Sequence, residues 1–465
     1  MSTTKSELPQ GRVLLAAALL AGALTGCSVF GSDAPTPASS PTVVPADVVK
    51  ALTRTLAKRS AAVRHDDRVG FMSGIGGSRP GFARGQKTYF DNLGQLPLAT
   101  FRFTFDPREM VRTGDDYWVV VDVHLQLEGY DAVPVVTPDR YRFTPALRRR
   151  GGFLLVSVTD SAWEQRNDVR PQPWDSGPID VRTEQGVLGI FDPDSVYAAT
   201  SLLGSVQRGI SAVAGVVPYN WSRSVVVYAL SDSTFLTGIE DLPGDPGSVD
   251  GVAFAVPSTP DGGELAATRF VLHPRMLDRP GVDRDRLIRH ELTHVAVGEH
   301  DDNAPVWLSE GIAEYVSFQS LAPPDRMVSG AALAAAERGV DDLPGDATFN
   351  DAESDAHYGL AWWACEYIAR SYGAQALWSL LDQLNVPDAT EAGREQVLED
   401  SLGIGQHELA RRAGRLMVVT FDPGALVPDE SPGSPESRTP TESNEPSATA
   451  TTPVATPSVS GTSGR

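Results

Sequence analysis

Cysteine, positive charge and long apolar runs are all scarce in this chain of 465 residues. Its two cysteines, Cys27 and Cys365, are too few for a disulfide-stapled fold. Cys365 lies among aromatic residues and is predicted to be a small buried apolar side chain, which disfavours a cysteine nucleophile. The 39 Lys and Arg residues face 60 Asp and Glu residues, and the net charge of -21 argues against nucleic acid as a partner. Hydrophobic residues still make up 41% of the chain, so a buried core is expected.

One apolar run stands near the amino terminus, at residues 13–23, after two basic residues. It is too short to span a bilayer. Residues 24–27 read Leu-Thr-Gly-Cys and resemble the lipobox that is cleaved before a lipidated cysteine in bacterial lipoproteins. The resemblance implies a signal peptide over residues 1–26 and a lipid anchor, such as palmitate, on Cys27. The protein is therefore expected at the extracytoplasmic face of the cell membrane.

Composition divides the remainder of the chain into four parts. Residues 27–45 are rich in Ser, Pro, Thr and Ala and are predicted to be a flexible tether. Residues 430–465 are similar and hold too few large apolar side chains to fold. Two folded domains are expected between them, at residues 46–165 and 178–425.

The first domain is predicted to open with a helix and continue as antiparallel strands. Apolar residues from Val48 to Val63 recur near helical spacing. The expected strands, which are β-rich and partly alternating, cover residues 100–105, 117–127, 139–144 and 152–158. One helix before a curled sheet resembles the cystatin-like or nuclear-transport-factor-like α+β domains. That resemblance implies binding rather than catalysis, and a possible partner in the cell envelope.

A helix with potentially reactive side chains is expected in the second domain. It includes residues 290–294, which read His-Glu-Leu-Thr-His. Apolar residues recur at helical spacing through this segment. Asp283 and Asp285 are candidate amino-terminal caps, and Gly298 is a candidate stop.

The spacing of the two histidines indicates a metal site. Positions i and i+4 of a helix share a face, so His290 and His294 present both imidazoles to one point with Glu291 beside them. This arrangement suits tetrahedral zinc (Zn²⁺) with one open position. Glu291 is then placed to act as general base on a water molecule that zinc activates.

A second segment, residues 307–315, reads Trp-Leu-Ser-Glu-Gly-Ile-Ala-Glu-Tyr. Together with residues 290–294 it resembles the gluzincin zinc metallopeptidases, and most closely their looser peptidase MA-like group. In that family a glutamate on a second helix is the third zinc ligand, which implies this role for Glu310. The connection from His294 to Glu310 is shorter than in the thermolysin-like and alanyl-aminopeptidase-like members.

His300 is the alternative third ligand, because it follows His294 by six residues, as in the metzincins. Metzincins require glycine three residues after the second histidine, where this chain has Val297. The missing glycine favours Glu310, and His300 remains the alternative. If it is not a ligand, His300 is expected to be a solvated loop histidine.

Further polar residues are candidates for supporting roles. Tyr358, at the start of a predicted downstream helix, is the candidate donor to the developing oxyanion, as a comparable tyrosine is in the aminopeptidase-like gluzincins, and His357 is the alternative. Glu314 lies one turn after Glu310 and is placed either to orient a ligand histidine or to face solvent. Trp307 and Tyr315 are expected to pack the helix rather than touch substrate.

The rest of the second domain is predicted in the order β-α-β-β-β-α, followed by helices over residues 331–421. The strands expected here cover residues 179–191, 224–229, 252–256 and 268–272, with a helix at 195–214. This order resembles the zincin fold, with a mixed sheet as upper half and helices as lower half. The expected fold class is therefore α+β, with an edge strand that pairs with an extended peptide substrate.

Two functions remain open from the sequence. The favoured one is a membrane-anchored zinc metallopeptidase acting on peptides or proteins outside the cytoplasm, and an endopeptidase because no Gly-x-Met-Glu-Asn-like stretch is present. The alternative is a non-catalytic lipoprotein whose first domain binds a partner and whose zincin domain is a scaffold. Retention of Glu291 favours the peptidase.

Overall fold

The computed structural model describes residues 44–76, 80–146, 151–239, 246–247 and 249–422. The predicted signal peptide, the lipidation site at Cys27 and the tail at residues 430–465 lie outside the described residues. Within the described part, none of the helices is long and apolar enough to cross a membrane. The fold there is α+β, as predicted, with two five-stranded sheets.

Three helices precede the first sheet, where the sequence predicts one. They are α1 (Ala46–Arg64), α2 (Arg68–Met72) and α3 (Pro80–Leu93). Several glycines lie within and around α2 and α3, and glycine lowers helix propensity by about 1 kcal/mol per residue. The apolar pattern of these two helices is interrupted for that reason, although both are present in the folded chain.

The first sheet is antiparallel, and its strands confirm the four that the sequence predicts. They are β1 (Leu98–Phe105), β2 (Val111–Thr113), β3 (Asp116–Leu127), β4 (Val135–Pro145) and β5 (Phe153–Ser157). The order is β1-β3-β4-β5, with β2 paired to β3. Alternate residues of β3, such as Val119 and Val121, share a core with Leu52 and Leu56 of α1. This face of the sheet is therefore covered by the opening helix.

Two short helices lead to the second sheet, which is mixed. The helices are α4 (Ser161–Arg166) and α5 (Pro173–Ser176), and the next elements are β6 (Asp180–Glu184), β7 (Val187–Phe191), α6 (Ala199–Val213), β8 (Val225–Ala229), β9 (Gly251–Thr259) and β10 (Gly262–Leu272). The order is β6-β7-β8-β10-β9, with β8 parallel to both of its neighbours. The single strand predicted at residues 179–191 is wrong, since the chain turns at Gly186 (φ 75°) and forms an antiparallel hairpin.

Helices complete the fold and form the lower half that the sequence predicts. They are α7 (Pro274–Leu277), α8 (Val282–Val297), α9 (Val306–Gln319), α10 (Gly330–Arg338), α11 (Ser354–Tyr372), α12 (Ala374–Leu384), α13 (Glu391–Leu402) and α14 (Gln406–Phe421). One hydrophobic core runs from α6 and the inner face of the second sheet through α8, α9 and α11 to α14. The motif helix α8 contributes Ile288, Leu292, Ala296 and Val297 to this core.

The two predicted domains share a second hydrophobic core. Ile190 and Tyr228, from the outer face of the second sheet, are buried in the same cluster as Leu52 of α1. A buried ion pair joins Arg269 on β10 to Asp131 in the β3–β4 turn, with 2.7 Å between Nη2 and Oδ1. The boundary between residues 165 and 178 stays a prediction, but the parts on either side pack as one body.

Candidate metal centre

The motif helix α8 is positioned by its ends as well as by its core. Its amino-terminal cap is Gly281, without a side-chain hydrogen bond. The prediction that Asp283 or Asp285 caps the helix is wrong, because both lie in its first turn, where a carboxylate instead complements the helix dipole. The helix ends at Gly298 as predicted, and the positive φ of 57° there turns the chain out of the helix.

Three side chains from two helices converge on one point. His290 and His294 of α8 place their Nε2 atoms 3.4 Å apart. Oε2 of Glu310, on α9, lies 3.1 Å from Nε2 of His290 and 3.7 Å from Nε2 of His294. Among the described residues, these three form the one cluster of His, Cys, Asp and Glu side chains spaced to hold a metal ion. The structure therefore brings together the three ligands that the sequence predicts.

This donor set fits a zinc ion in both chemistry and spacing. Two imidazole nitrogens and one carboxylate oxygen are the ligands typical of a catalytic zinc site. Metal bonds of about 2.1 Å at tetrahedral angles place ligand atoms about 3.4 Å apart. The three separations, 3.1, 3.4 and 3.7 Å, lie around that value.

A carboxylate lies within 3.3 Å of Nδ1 of each imidazole. Glu314, one turn after Glu310, places Oε1 3.1 Å from Nδ1 of His290. Arg286 holds the same carboxylate by Nη1, which donates to its two oxygens at 2.9 and 2.7 Å. A carboxylate at Nδ1 leaves Nε2 free to bind a metal. Of the two alternatives for Glu314, the structure favours the orienting one over a solvent-facing one.

Asp301 does the same for the other histidine, and sequence reasoning missed it. Its Oδ2 lies 3.3 Å from Nδ1 of His294 and accepts a hydrogen bond of 2.5 Å from Oγ of Ser309. Asp301 is in the connection after Gly298, in a run of acidic residues that has no spacing motif. The only signal in the sequence is its short distance from His294 along the chain.

The carboxylates of the cluster favour positive charge at its centre. Burial opposes the imidazolium form, but the carboxylates of Glu310 and Glu314 outweigh it and raise the pKa of His290 to about 9. Burial likewise opposes the charged form of His294, yet Glu310 and Asp301 raise its pKa well above the usual value. Burial would also favour neutral Glu310, but the two imidazoles hold its pKa far below its usual range. A bound cation would supply positive charge at this point.

Glu291 lies beside the cluster and against the second sheet. Its side chain is buried, and burial raises the pKa of the carboxyl, while the two imidazoles oppose this rise. Ala253 of β9 lines the cleft with it, and the backbone N–H of Ala253 also lowers the pKa of the carboxyl. The predicted general base therefore lies beside the edge strand of the sheet.

Tyr358, rather than His357, faces the cluster. The Tyr358 ring is centred 6.1 Å from that of His290, and the ring of Phe349 packs against it at 4.9 Å. Burial and then the carboxylates of Glu310 and Glu291 raise the pKa of Tyr358 well above 10, so the phenol keeps its proton. His357 instead has Nδ1 2.9 Å from the carbonyl oxygen of Phe349.

Close packing between helices α9 and α11 holds this tyrosine near the ligand helix. A Cβ on Gly311 would lie 2.5 Å from the carbonyl oxygen of Ala361, so the approach requires glycine beside Glu310. Trp307 and Tyr315 are buried in the core, as predicted. Cys365 is likewise a buried free thiol.

His300, the alternative third ligand, lies elsewhere. Its ring stacks on Tyr219 with 3.7 Å between centroids, and its Nδ1 is 3.2 Å from Oδ1 of Asp382. About half of its side chain is exposed to solvent (48%). The loop histidine is therefore paired at the surface and does not join the cluster.

The cluster opens into a cleft of about 2280 Å³. Its lining includes His290, Glu291, His294, Glu310 and Tyr358. The edge strand β9 forms one wall, and residues 135–138 of β4, in the first sheet, form another.

Comparison with known proteins adds no family assignment. No model of a known protein family matches the chain, and a search of curated proteins finds none that is similar to it.

Proposed function

We propose that this protein is a zinc-dependent metallopeptidase, and an endopeptidase. The observation that carries the proposal is the convergence of His290, His294 and Glu310 at one point, with Glu291 beside them and a large cleft in front. A scaffold would need no buried carboxyl poised next to three metal ligands, because burying such a group costs free energy. The alternative function, a non-catalytic lipoprotein, is therefore less favoured.

Zinc bound by these three residues would supply a water molecule ionising near pH 7 and a Lewis acid for the scissile carbonyl. Glu291 would take the proton from the attacking water and pass it to the leaving amine nitrogen. Tyr358 would donate its phenolic hydrogen to the carbonyl oxygen as negative charge develops there. Glu314 and Asp301 would keep the ligand imidazoles in the tautomer that presents Nε2.

The edge strand β9 is the proposed binding surface for the peptide main chain. It is the last strand of the second sheet and lines the cleft beside Glu291. An extended peptide can add to such an edge through backbone hydrogen bonds. An anchor at Cys27 would hold this cleft outside the cytoplasm, at the membrane surface.

The proposal is tested by zinc content and peptide-bond hydrolysis of the unlipidated protein. We expect about one zinc per chain in the wild type and in Glu291→Gln, with turnover of an unfolded protein about 10²- to 10⁴-fold lower in the variant. Glu310→Ala should lose the zinc. His300→Ala should keep both zinc and turnover, and Glu264→Gln, an exposed glutamate of β10, is the matched control for Glu291.

Two outcomes would reject the peptidase. A wild type that binds no zinc removes the catalytic centre. Equal behaviour of Glu291→Gln and wild type would instead favour the scaffold.

A further inference from the structure

Two open strand edges line the same cleft. In the part of the chain that the structure describes, β9 is the terminal strand of the second sheet and pairs with β10 alone. In the first sheet, β4 pairs with β3 from Val135 to Phe143, whereas β5 covers its other side only from Arg142 onward. Among the described residues, no strand therefore pairs with the other edge of residues 135–141 of β4, and residues 135–138 line the cleft.

On β9, the pairing with β10 shows which backbone groups point away from the sheet. The N–H of His273 donates to the carbonyl oxygen of Asp250 at 2.8 Å, and the register continues through Val252 opposite Val271. The backbone groups of Val252 therefore face β10, and those of Ala253 face away from it. Backbone groups of an antiparallel strand alternate in direction, with a period of two residues. The N–H and C=O of Ala255 therefore also face the open side of β9.

On β4, two residues show which backbone groups point away from the sheet. The N–H of Arg140 donates to Oδ1 of Asp139 at 3.0 Å instead of to another strand, and Pro138 has no N–H. The alternation then places the N–H and C=O of Val136 on the open edge. No described residue outside the β3–β4 pairing is bonded to them.

Proline marks both edges. Pro138 lies on β4 and Pro257 on β9, where each lines the cleft. Proline is tolerated at the edge of a sheet and hinders the pairing of whole sheets edge to edge. Outward backbone groups remain two residues from each proline, at Val136 and Ala255, which suits one extended chain better than a second folded sheet.

We propose that the free edge of β4 is a second main-chain-binding wall of the substrate cleft, with Val136 as its positioning residue. The substrate class would then be an extended, unfolded polypeptide with enough main-chain groups to pair with both β9 and β4. This inference rests on the proposed peptidase function. It gives the first domain a part in substrate binding, not only in packing.

The test is the variant Val136→Pro, which removes one outward N–H and keeps the extended backbone. We expect the KM for natively unfolded casein to rise about three- to tenfold, the size of one hydrogen bond, with kcat unchanged. A labelled tetrapeptide, whose few main-chain groups are taken up at β9, should keep its KM. A large fall in kcat for both substrates would contradict a binding role.

The matched control is Thr183→Pro on β6, the opposite edge of the second sheet. The N–H of Val181, two residues earlier, points outward to Oε1 of Gln95 at 3.1 Å, so that of Thr183 points outward as well. This variant should change neither KM. An equal rise in KM in both proline variants would overturn the inference, because it would report a general effect on the sheets.

If Val136→Pro does not fold, amide hydrogen exchange tests the inference without that variant. In Glu291→Gln protein mixed with casein, the amide of Val136 should exchange at least severalfold more slowly than without casein, and that of Thr183 should not. Unchanged exchange at Val136 while Ala255 becomes protected would overturn the inference and leave β9 as the only binding edge. Failure of the peptidase itself appears separately, as turnover that is equal in wild type and Glu291→Gln.

Discussion

Two buried polar clusters in this molecule have opposite designs. At the interface of the two sheets, Asp131 receives a hydrogen bond from Arg269, and the same guanidinium donates to the hydroxyl of Tyr228 at 2.7 Å. In the metal centre, by contrast, the atoms at the focus all point at one another and at the cleft. The charges of the first cluster pair with one another, although Nε of Arg269 is buried without a hydrogen-bond partner among the described residues. The second cluster is arranged around a point that a cation would fill.

The difference separates a structural role from a chemical one. Burial of charge is costly in both places, so each cluster must be compensated. The charge of Arg269 is compensated by the carboxylate of Asp131, and this ion pair holds the first sheet in a fixed orientation against the second. At His290, His294 and Glu310 the compensation requires positive charge from protons or a metal.

The largest effect is expected from breaking the first of these clusters. Arg269→Met would leave the carboxylate of Asp131 buried without its charge partner, and should lower the free energy of unfolding by about 3–5 kcal/mol. Urea unfolding measures this change. Arg182→Met, which breaks an exposed pair with Asp180, is the control and should cost less than about 1 kcal/mol. Equal losses in both variants would mean that the interface pair does not fix the sheets.

The second largest effect is expected at the candidate metal centre, from loss of the Tyr358 hydroxyl. Tyr358→Phe should reduce kcat about 10²- to 10³-fold, because it removes a donor to the developing oxyanion. Zinc content and unfolding free energy should stay near the wild-type values. Tyr372→Phe, at the exposed end of the same helix, is the control. Unchanged kcat in Tyr358→Phe would reduce this residue to a packing role.

A smaller effect is expected one layer out from the ligands. Asp301→Asn should weaken zinc binding about 10- to 100-fold, because His294 loses the carboxylate that sets its tautomer. Competition with a chelator measures the affinity. The neighbouring Asp302→Asn should leave it unchanged, since no described histidine contacts Asp302. If both variants bind zinc like the wild type, the contact between Asp301 and His294 has no part in metal binding.

The smallest effect is electrostatic. The described lining of the cleft contains one arginine, Arg170, no lysine, and exposed aspartates that include Asp194, Asp232 and Asp302. Peptides flanked by Lys should therefore have a KM a few-fold lower than those flanked by Glu, and the difference should shrink as salt is added. Asp232→Asn should reduce this difference in KM, while the distant Asp115→Asn should leave it unchanged. A preference that is insensitive to salt would contradict this origin.

More could be predicted from the sequence for the helices of the candidate metal centre than for the elements around them. The motif helix, its stop at Gly298 and the convergence of His290 with His294 follow from helical periodicity, which is a property of neighbouring residues. The start of the helix could not be predicted correctly, because Asp283 and Asp285 are equally good as caps and as first-turn residues.

The first sheet shows the same limit. Its strands follow from alternation, but α2 and α3 are hidden by glycine, and the hairpin of β6 and β7 was expected as one strand. In each case a turn or helix is stabilised by tertiary packing that local propensity does not report.

By itself, the sequence determined the helix that carries His290, Glu291 and His294, since a separation of four residues on a helix leaves little freedom in where the side chains point. The resemblance to the gluzincins added Glu310 as the expected third ligand. Only the tertiary structure decided that Glu310 and not His300 meets the histidines, that Asp301 and Glu314 orient them, and that β4 shares the cleft. These contacts join elements that are separate in the chain, and their distances depend on how helices and sheets pack rather than on any repeat along the sequence.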